Sequence, residues 1–219
     1  MARPREFDID EAIACDRFVD VEFAWTGHAI ATAMEVFWRH GYEEAGLAEL
    51  CAAMGITRGS FYKAFGSKRA LFLKALERYE SDYVEGAITL LMTSEAPAQE
   101  RIAAVFRAGI EAARSGDGRG CLLCNTASGP ALGDEGIRSA VSGQLDRLTE
   151  AFATALTDDP VHAAEPADTR MAEARRLTLG YVGLRVLGRG VFDPDSLEDA
   201  VRRLLRPYVL HAPNAPQVA

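Results

Sequence analysis

The chain has 219 residues, 48% of them apolar, four cysteines and a net charge of −8. This length accommodates one large or two small domains with a sizeable core, and no apolar run approaches a membrane span. With no signal-peptide core at the N-terminus and no disulfide-framework spacing among the cysteines, the composition predicts a soluble protein of the reducing cytoplasm and argues against a membrane protein or a disulfide-stapled secreted one.

Taken in chain order, the pattern is helical almost throughout. An opening arm, ARPREFD, carries Arg3 and Arg5. In 14–30, ACDRFVDVEFAWTGHAI, Val19, Val21, Phe23 and Trp25 alternate with Asp20, Glu22 and Ala24, a strand-like period. Thr26 and Gly27 are then placed to cap and restart a helix, on which Ile30, Ala33, Met34, Phe37 and Trp38 form an apolar face ending at Gly41. A second helix follows with Leu47, Leu50, Cys51 and Met54 on one stripe. Gly55 supplies the positive φ of a turn, Ile56 anchors it, and Thr57 caps a third helix. Phe61 and Phe65 point that helix into the core and leave Arg58, Ser60, Tyr62 and Lys63 on its other faces. This is the layout of a helix-turn-helix, whose second helix enters the DNA major groove.

Ser67 is placed to cap a long helix with Phe72, Leu76, Tyr79 and Tyr83 on one stripe. Another helix is expected over about 97–115 and is ended by SGDG, and a short one runs from about Cys121 to before Gly129-Pro130. Ile137, Val141, Leu145, Leu148, Phe152 and Leu156 mark a long amphipathic helix, and 158–168 is a loop. Residues 177–188 are apolar on nearly every side, with Gly180 and Gly183 allowing close approach of another backbone. Leu197, Ala200, Val201, Leu204, Leu205, Tyr208 and Val209 form a last stripe, and the tail after His211 is expected to be disordered. The expected fold is all-α: an N-terminal unit over 1–66 holding the arm, the segment 14–30 and the helix-turn-helix, then a helical C-terminal domain over 67–211 and a tail over 212–219.

Charge distribution supports a nucleic-acid partner where net charge does not. Residues 55–78 hold Arg58, Lys63, Lys68, Arg69, Lys74 and Arg78 against Glu77 alone, a local +5 that leaves −13 for the remainder. A basic patch of this kind tracks phosphates while the acidic remainder limits indiscriminate binding. Arg58, at the helix start, has the geometry for paired hydrogen bonds to guanine O6 and N7. Gly59 allows close approach to the groove, and Tyr62, Lys63 and Lys68 suit phosphates.

The segment from Ala33 to Leu76 resembles the DNA-binding domain of TetR-family transcriptional regulators. Phe37 and Gly41-Tyr42, then GITRGSFYKAFGSK, then Leu71-Phe72 carry the resemblance, and the arm followed by Asp10-Glu11-Ala12 is similar to that of many members. The resemblance implies an all-helical homodimer that binds a double-stranded operator, most often as a repressor, and is released by a small molecule in the C-terminal domain. It also implies pairing through the last two long helices as a four-helix bundle, against the simpler reading that they complete the monomer's core. Two departures stand out. The segment 14–30 interrupts the usual run from arm to first helix, as an extra contact or a tolerated loop; Ala45-Gly46 replace the usual capping hydroxyl, and glycine is the weaker cap.

Cys121-Leu-Leu-Cys124 poses the chemical question. Spaced i, i+3 on a helix, the sulfurs share a face, and Cys121 near a helix N-terminus beside Arg119 is placed to have its thiolate stabilised. Some TetR relatives with a similar Gly-Cys-Leu segment sense electrophiles or oxidants. The alternative is that both are small buried apolar residues. Cys15 and Cys51 have no functional argument, and no metal site or cofactor is expected. Phe106, Leu122, Phe152 and Tyr83 are expected to line an apolar ligand cavity. Three function classes follow: a ligand-responsive DNA-binding regulator, a dimeric ligand-binding protein with impaired DNA binding, and a thiol protein, as sensor or enzyme, although no βαβ pattern accompanies CLLC as it does in redox enzymes. The non-enzymatic regulator is the expected function.

Overall fold

The computed structural model describes residues 9–92 and 96–209, with side chains described over 26–92 and 96–208. The described residues form helices and no strand. In chain order these are α1 (Ile9–Glu44), α2 (Leu47–Met54), α3 (Arg58–Phe65), α4 (Lys68–Tyr79), a π-turn (Glu80–Val84), α5 (Glu85–Met92), α6 (Ala98–Arg114), α7 (Leu122–Ala127), a 3-10 turn (Pro130–Gly133), α8 (Glu135–Thr157), α9 (Ala167–Leu187), α10 (Pro194–Leu204) and α11 (Arg206–Val209). The arm with Arg3 and Arg5, the tail after His211 and the side chain of Cys15 lie outside the described residues.

The strand-like reading of 19–25 and the restart at Thr26-Gly27 are overturned, because the backbone is helical from Ile9 until Gly41. Alternation over so few residues does not separate strand from helix. The segment contains no proline, and one glycine does not stop a helix that is already propagating. The segment 14–30 is therefore a helical extension of α1 rather than a loop. Gly41, at φ 81°, is the break that sequence predicted.

Two aromatic seams hold α1 to α4. Phe37 meets Phe72 edge-on with ring centroids 4.9 Å apart, and Tyr42 packs on the same ring at 4.8 Å. Two turns further along α4, Tyr79 and, in the π-turn beyond it, Tyr83 both meet Trp38 at 4.9 Å. The π-turn interposes between α4 and α5 in the segment that carries Tyr83, and Arg147 of α8 spans it by pairing with Glu80 and, at 2.7 Å, with Glu85. In the C-terminal half α8 packs along α9, and Phe106 and Phe152 are fully buried between α6, α8 and Tyr181 of α9.

The last helices contribute to the monomer's core. Leu177, Thr178 and Leu184 of α9 are buried, Leu184 lying against Gly109 of α6. The space left by Gly180 is filled by the Leu204 side chain of α10, whereas Gly183 faces open space. Leu179, by contrast, is 74% exposed, as are Val191 and Phe192 beyond the helix to lesser degrees.

Buried polar groups close the end of the bundle. Arg101 is 1% exposed and donates to the Leu91 carbonyl at 2.6 Å and to Asp158 at 2.7 Å. Asp159 accepts from Gln99 at 3.0 Å through Oδ2; its Oδ1 accepts from the backbone N–H groups of Val161 and His162 and also lies 2.8 Å from His162 Nδ1. The His162 ring stacks on Tyr208, whose hydroxyl donates to Glu173.

Asp158→Ala strands the Arg101 charge in the interior. Because Asp158 is half exposed and partly screened by solvent, a loss of about 2 kcal/mol in urea unfolding is expected. Arg101→Met in the same background should recover part of that loss. Burial pushes the Asp159 carboxyl up, but the His162 ring and the two backbone donors outweigh it and hold the carboxyl below its ordinary value. Its contribution to stability is therefore present above the unfolded value of about 4 and is lost as pH falls through the folded value. Asp159→Asn should flatten the decline in melting temperature below about pH 4 that the parent protein shows.

Candidate functional site

The helix-turn-helix is built as its local chemistry requires. The end of α2 is closed by Gly55 at φ 68°, with the Gly55 N–H donating to the Ala52 carbonyl and the Ile56 N–H to that of Cys51. A left-handed residue with two reversed backbone bonds is how a helix stops while its last carbonyls stay paired. Thr57 caps α3, its Oγ1 accepting from the Ser60 N–H at 3.1 Å, and the Ser60 hydroxyl lies 3.1 Å from the same oxygen. Ser67 caps α4 in the same manner through the Ala70 N–H. The N-cap of α2 is Gly46, with no side-chain bond, as sequence predicted.

Phe61 and Phe65 bury the inner face of α3. Arg58, Gly59, Ser60, Tyr62 and Lys63 are exposed on the outside, Tyr62 with its ring edge-on to Phe61. No carboxylate partner is found for Arg58 or Lys63 among the described residues, so both charges face solvent uncommitted. Lys68 differs: its ammonium donates to the Glu43 carbonyl at 3.1 Å and sits 4.7 Å from the Tyr42 ring centre, locking the start of α4 to the end of α1. Arg69 is likewise engaged, with Asp134 at 2.7 Å. Sequence spacing grouped all these basic residues into one patch, but it does not register which of them already have partners inside the fold.

A cavity of about 260 Å³ lies where α1, the π-turn, α7, α8 and α9 meet. Trp38, Tyr83, Leu148, Cys121, Cys124 and Arg185 are in its wall. Of the four residues expected to line a cavity, Tyr83 does so. Phe106 and Phe152 do not: both are fully buried in solid core away from this wall, because an amphipathic stripe marks an inward face without saying whether that face meets space or another side chain. Leu122 lies instead in the wall of a second cleft of about 320 Å³, beside the C-terminal end of α1.

Cys121 is the N-cap of α7, not a residue within it: its backbone is extended (φ −120°, ψ 123°), and its Sγ accepts from the Cys124 N–H at 3.5 Å. Contact with the Cys124 side chain lowers the Cys121 thiol most; burial opposes this, and the Tyr79 hydroxyl and the Arg185 charge lower it further. Cys124 is pushed the other way, first by Cys121 and then by burial. Arg119, which sequence placed beside Cys121 as its cationic neighbour, is directed elsewhere. It pairs with Asp117 at 2.6 Å and with Glu35 of α1, and its guanidinium lies 4.1 Å from the Trp38 ring centre. The cation acting on the thiol is Arg185, which donates to the Gly120 carbonyl at 3.1 Å. Adjacency in the chain does not fix side-chain direction, and the contributions of Arg185, Tyr79 and Trp38 carried no local signal.

Comparison with known proteins fits this geometry. Residues 29–75 match the model of the bacterial regulatory proteins of the tetR family. The uncharacterized HTH-type transcriptional regulator YezE of Bacillus subtilis is 31% identical over 183 residues, covering 80% of this chain and 92% of its own. The HTH-type transcriptional repressor NemR of Escherichia coli is 30% identical over 115 residues, which is 52% of this chain and 58% of that repressor. Among solved structures, a cysteine mutant of the TetR family transcriptional regulator CifR, complexed with double-strand operator DNA, superposes with a TM-score of 0.72 at 30% identity, covering 94% of this chain and all of that one. A capped helix-turn-helix packed on a helical C-terminal body, with the YezE regulator and the CifR mutant matched along nearly their full length, assigns this chain to the tetR family of helix-turn-helix transcriptional regulators.

Proposed function

We propose that this protein is a ligand-responsive repressor that binds a double-stranded operator as a homodimer and is released by a small molecule in its C-terminal domain. The observation that carries the reading is the outer face of α3, where Arg58 and Lys63 stand exposed above a core-anchored helix with no carboxylate partner among the described residues. Arg58 at the helix start is assigned to base edges, Gly59 to close approach, and Ser60, Tyr62 and Lys63 to the backbone, while Thr57 holds the helix in place. Lys68 contributes mainly by fixing α4 against α1. The DNA-binding unit ends at about residue 66, and the remainder houses the effector and dimer functions in the cytoplasm.

The effector site is the cavity bounded by Trp38, Tyr83 and Leu148, whose size suits a small, largely apolar molecule. Trp38 belongs to α1, the same helix that packs on the helix-turn-helix, so an occupant touching its ring bears directly on the DNA-reading unit. The dimer face is the stripe of α9 formed by the exposed Leu179 and the half-buried Val182 and Val186, with Gly183 open among them to admit a partner's backbone. Leu184 and Leu204, by contrast, serve the monomer's packing.

Lys63→Ala should weaken DNA binding similarly across sequences and lower the salt slope by about one, whereas Arg58→Ala should relax preference at one base pair at a cost of about 1–3 kcal/mol. Electrophoretic shifts against duplexes selected from a random pool measure both. Unchanged binding in both variants rules α3 out of the groove, and a folded dimer that selects no DNA supports the ligand-binding alternative. Leu179→Glu should give monomers in light scattering with unaltered helical circular dichroism; persistent dimers would place the interface elsewhere.

A further inference from the structure

Cys121 and Cys124 have an arrangement that the repressor reading does not require. The first is the extended N-cap of a short helix and the second is its third residue, so the pair does not lie within a regular helical turn. The backbone N–H of Cys124 already points at the Cys121 sulfur at 3.5 Å, and the two side chains touch. Extended geometry at the first position removes the obstacle that two thiols one turn apart on a continuous helix would meet, where bridging requires the turn to open. Both residues belong to the cavity wall and each is at most 5% exposed in all, so the cavity is their route to small reactants.

We propose that Cys121 and Cys124 form a reversible dithiol–disulfide couple in the wall of the effector cavity, oxidised by a small hydroperoxide. The Cys121 thiolate attacks the terminal oxygen of the hydroperoxide; an S–O bond forms, the O–O bond breaks, and the alkoxide leaves with a proton as the alcohol. The Cys124 sulfur then attacks the Cys121 sulfenic acid, the S–S bond forms as the S–O bond breaks, and the Cys124 proton departs with the hydroxide as water. Two thiols are oxidised to a disulfide while one hydroperoxide is reduced to an alcohol and one water. The environment divides the roles: Tyr79, Arg185 and the Cys124 N–H favour the anion on Cys121, and Cys124 stays protonated until it resolves the intermediate.

The consequence for DNA rests on the repressor reading. A disulfide replaces the Cys121 contacts with the Tyr79 hydroxyl and with the Cys124 N–H, removing the cap of α7. Arg119 lies two residues before Cys121, and its carbonyl accepts from the Asn125 side chain at 2.7 Å, so movement at the cap displaces the residue that grips Glu35 and Trp38 of α1. Oxidation therefore alters the same joint that a cavity occupant would touch.

The full-length protein is treated with hydrogen peroxide, and its thiols are mapped by mass spectrometry. A Cys121–Cys124 disulfide, reversed by dithiothreitol and leaving Cys51 reduced, is the expected result. Cys124→Ser should instead leave a sulfenic acid on Cys121 that a 1,3-dione traps, and Cys121→Ser should show neither product. Should a serine variant fail to fold by circular dichroism, the map of the unsubstituted protein alone decides. Absence of the Cys121–Cys124 linkage in folded protein, or pairing through Cys15 or Cys51, overturns the proposal. Oxidised protein should lose operator affinity roughly tenfold and regain it on reduction. An oxidised protein that binds DNA as well as the reduced one overturns the link to α1. Failure of the reduced protein to bind any duplex counts against the repressor reading and leaves the disulfide map untouched.

Discussion

The fold turns on how Trp38 is held. Its indole packs against Tyr79 and Tyr83 on one side, and the Arg119 guanidinium lies over its face at 4.1 Å. A cation over indole is the strongest arrangement of its type, and here it is reinforced by the pairing of the same guanidinium with Glu35 one turn earlier on α1. One residue of the loop between α6 and α7 thereby fastens the C-terminal body to the helix against which α2 and α4 pack. Any account of communication between the two halves must pass through contacts of this sort, because α1 and α4 are the elements that both share.

Around that joint the chain uses two kinds of adhesive. The Phe37–Phe72–Tyr42 seam is apolar and continuous with the core beneath α3, which makes the helix-turn-helix rigid relative to α1. The far end of the bundle is polar: Arg101, Asp158, Asp159, His162 and Tyr208 tie the loop after α8 to α5, α6 and α11. Buried networks of this kind fix geometry more than they add stability, since their desolvation cost offsets much of their attraction. The cavity sits between these regions, where aromatic side chains from α1, α4, the π-turn and α9 converge without filling the space.

What could be read from the sequence was whatever is encoded locally. Gly55, Thr57 and Ser67 announce their turn and caps within a few residues of where they act, and Phe61 and Phe65 show by spacing alone which face of α3 is inward. The outline of the C-terminal helices followed from periodicity for the same reason. Periodicity failed where two structures share a short pattern, as at Val19–Trp25, and where it marks inwardness without marking space, as at Phe106 and Phe152. The thiol site was half visible: Cys121 was marked by its place at a helix start, but Arg185 and Tyr79 come to it from distant parts of the chain. Arg119, the obvious neighbour, was drawn away by Glu35, Asp117 and the indole face, none of which leaves a trace in the spacing.

The π-turn at Glu80–Val84 governs angular phase. Each residue advances a regular helix by about 100°, so the wider turn delays everything after it by roughly one position. Ile88 and Leu91 reach the surface of α8 at the angle they do only because of that delay. A chain shortened by one residue here would keep an unbroken helix from Ser67 onward and yet present the wrong side of α5 to its neighbour. The irregularity thus acts as a gear between the helix that supports DNA reading and the one that borders the cavity, and its width is as much a part of the fold's specification as any side chain in the core.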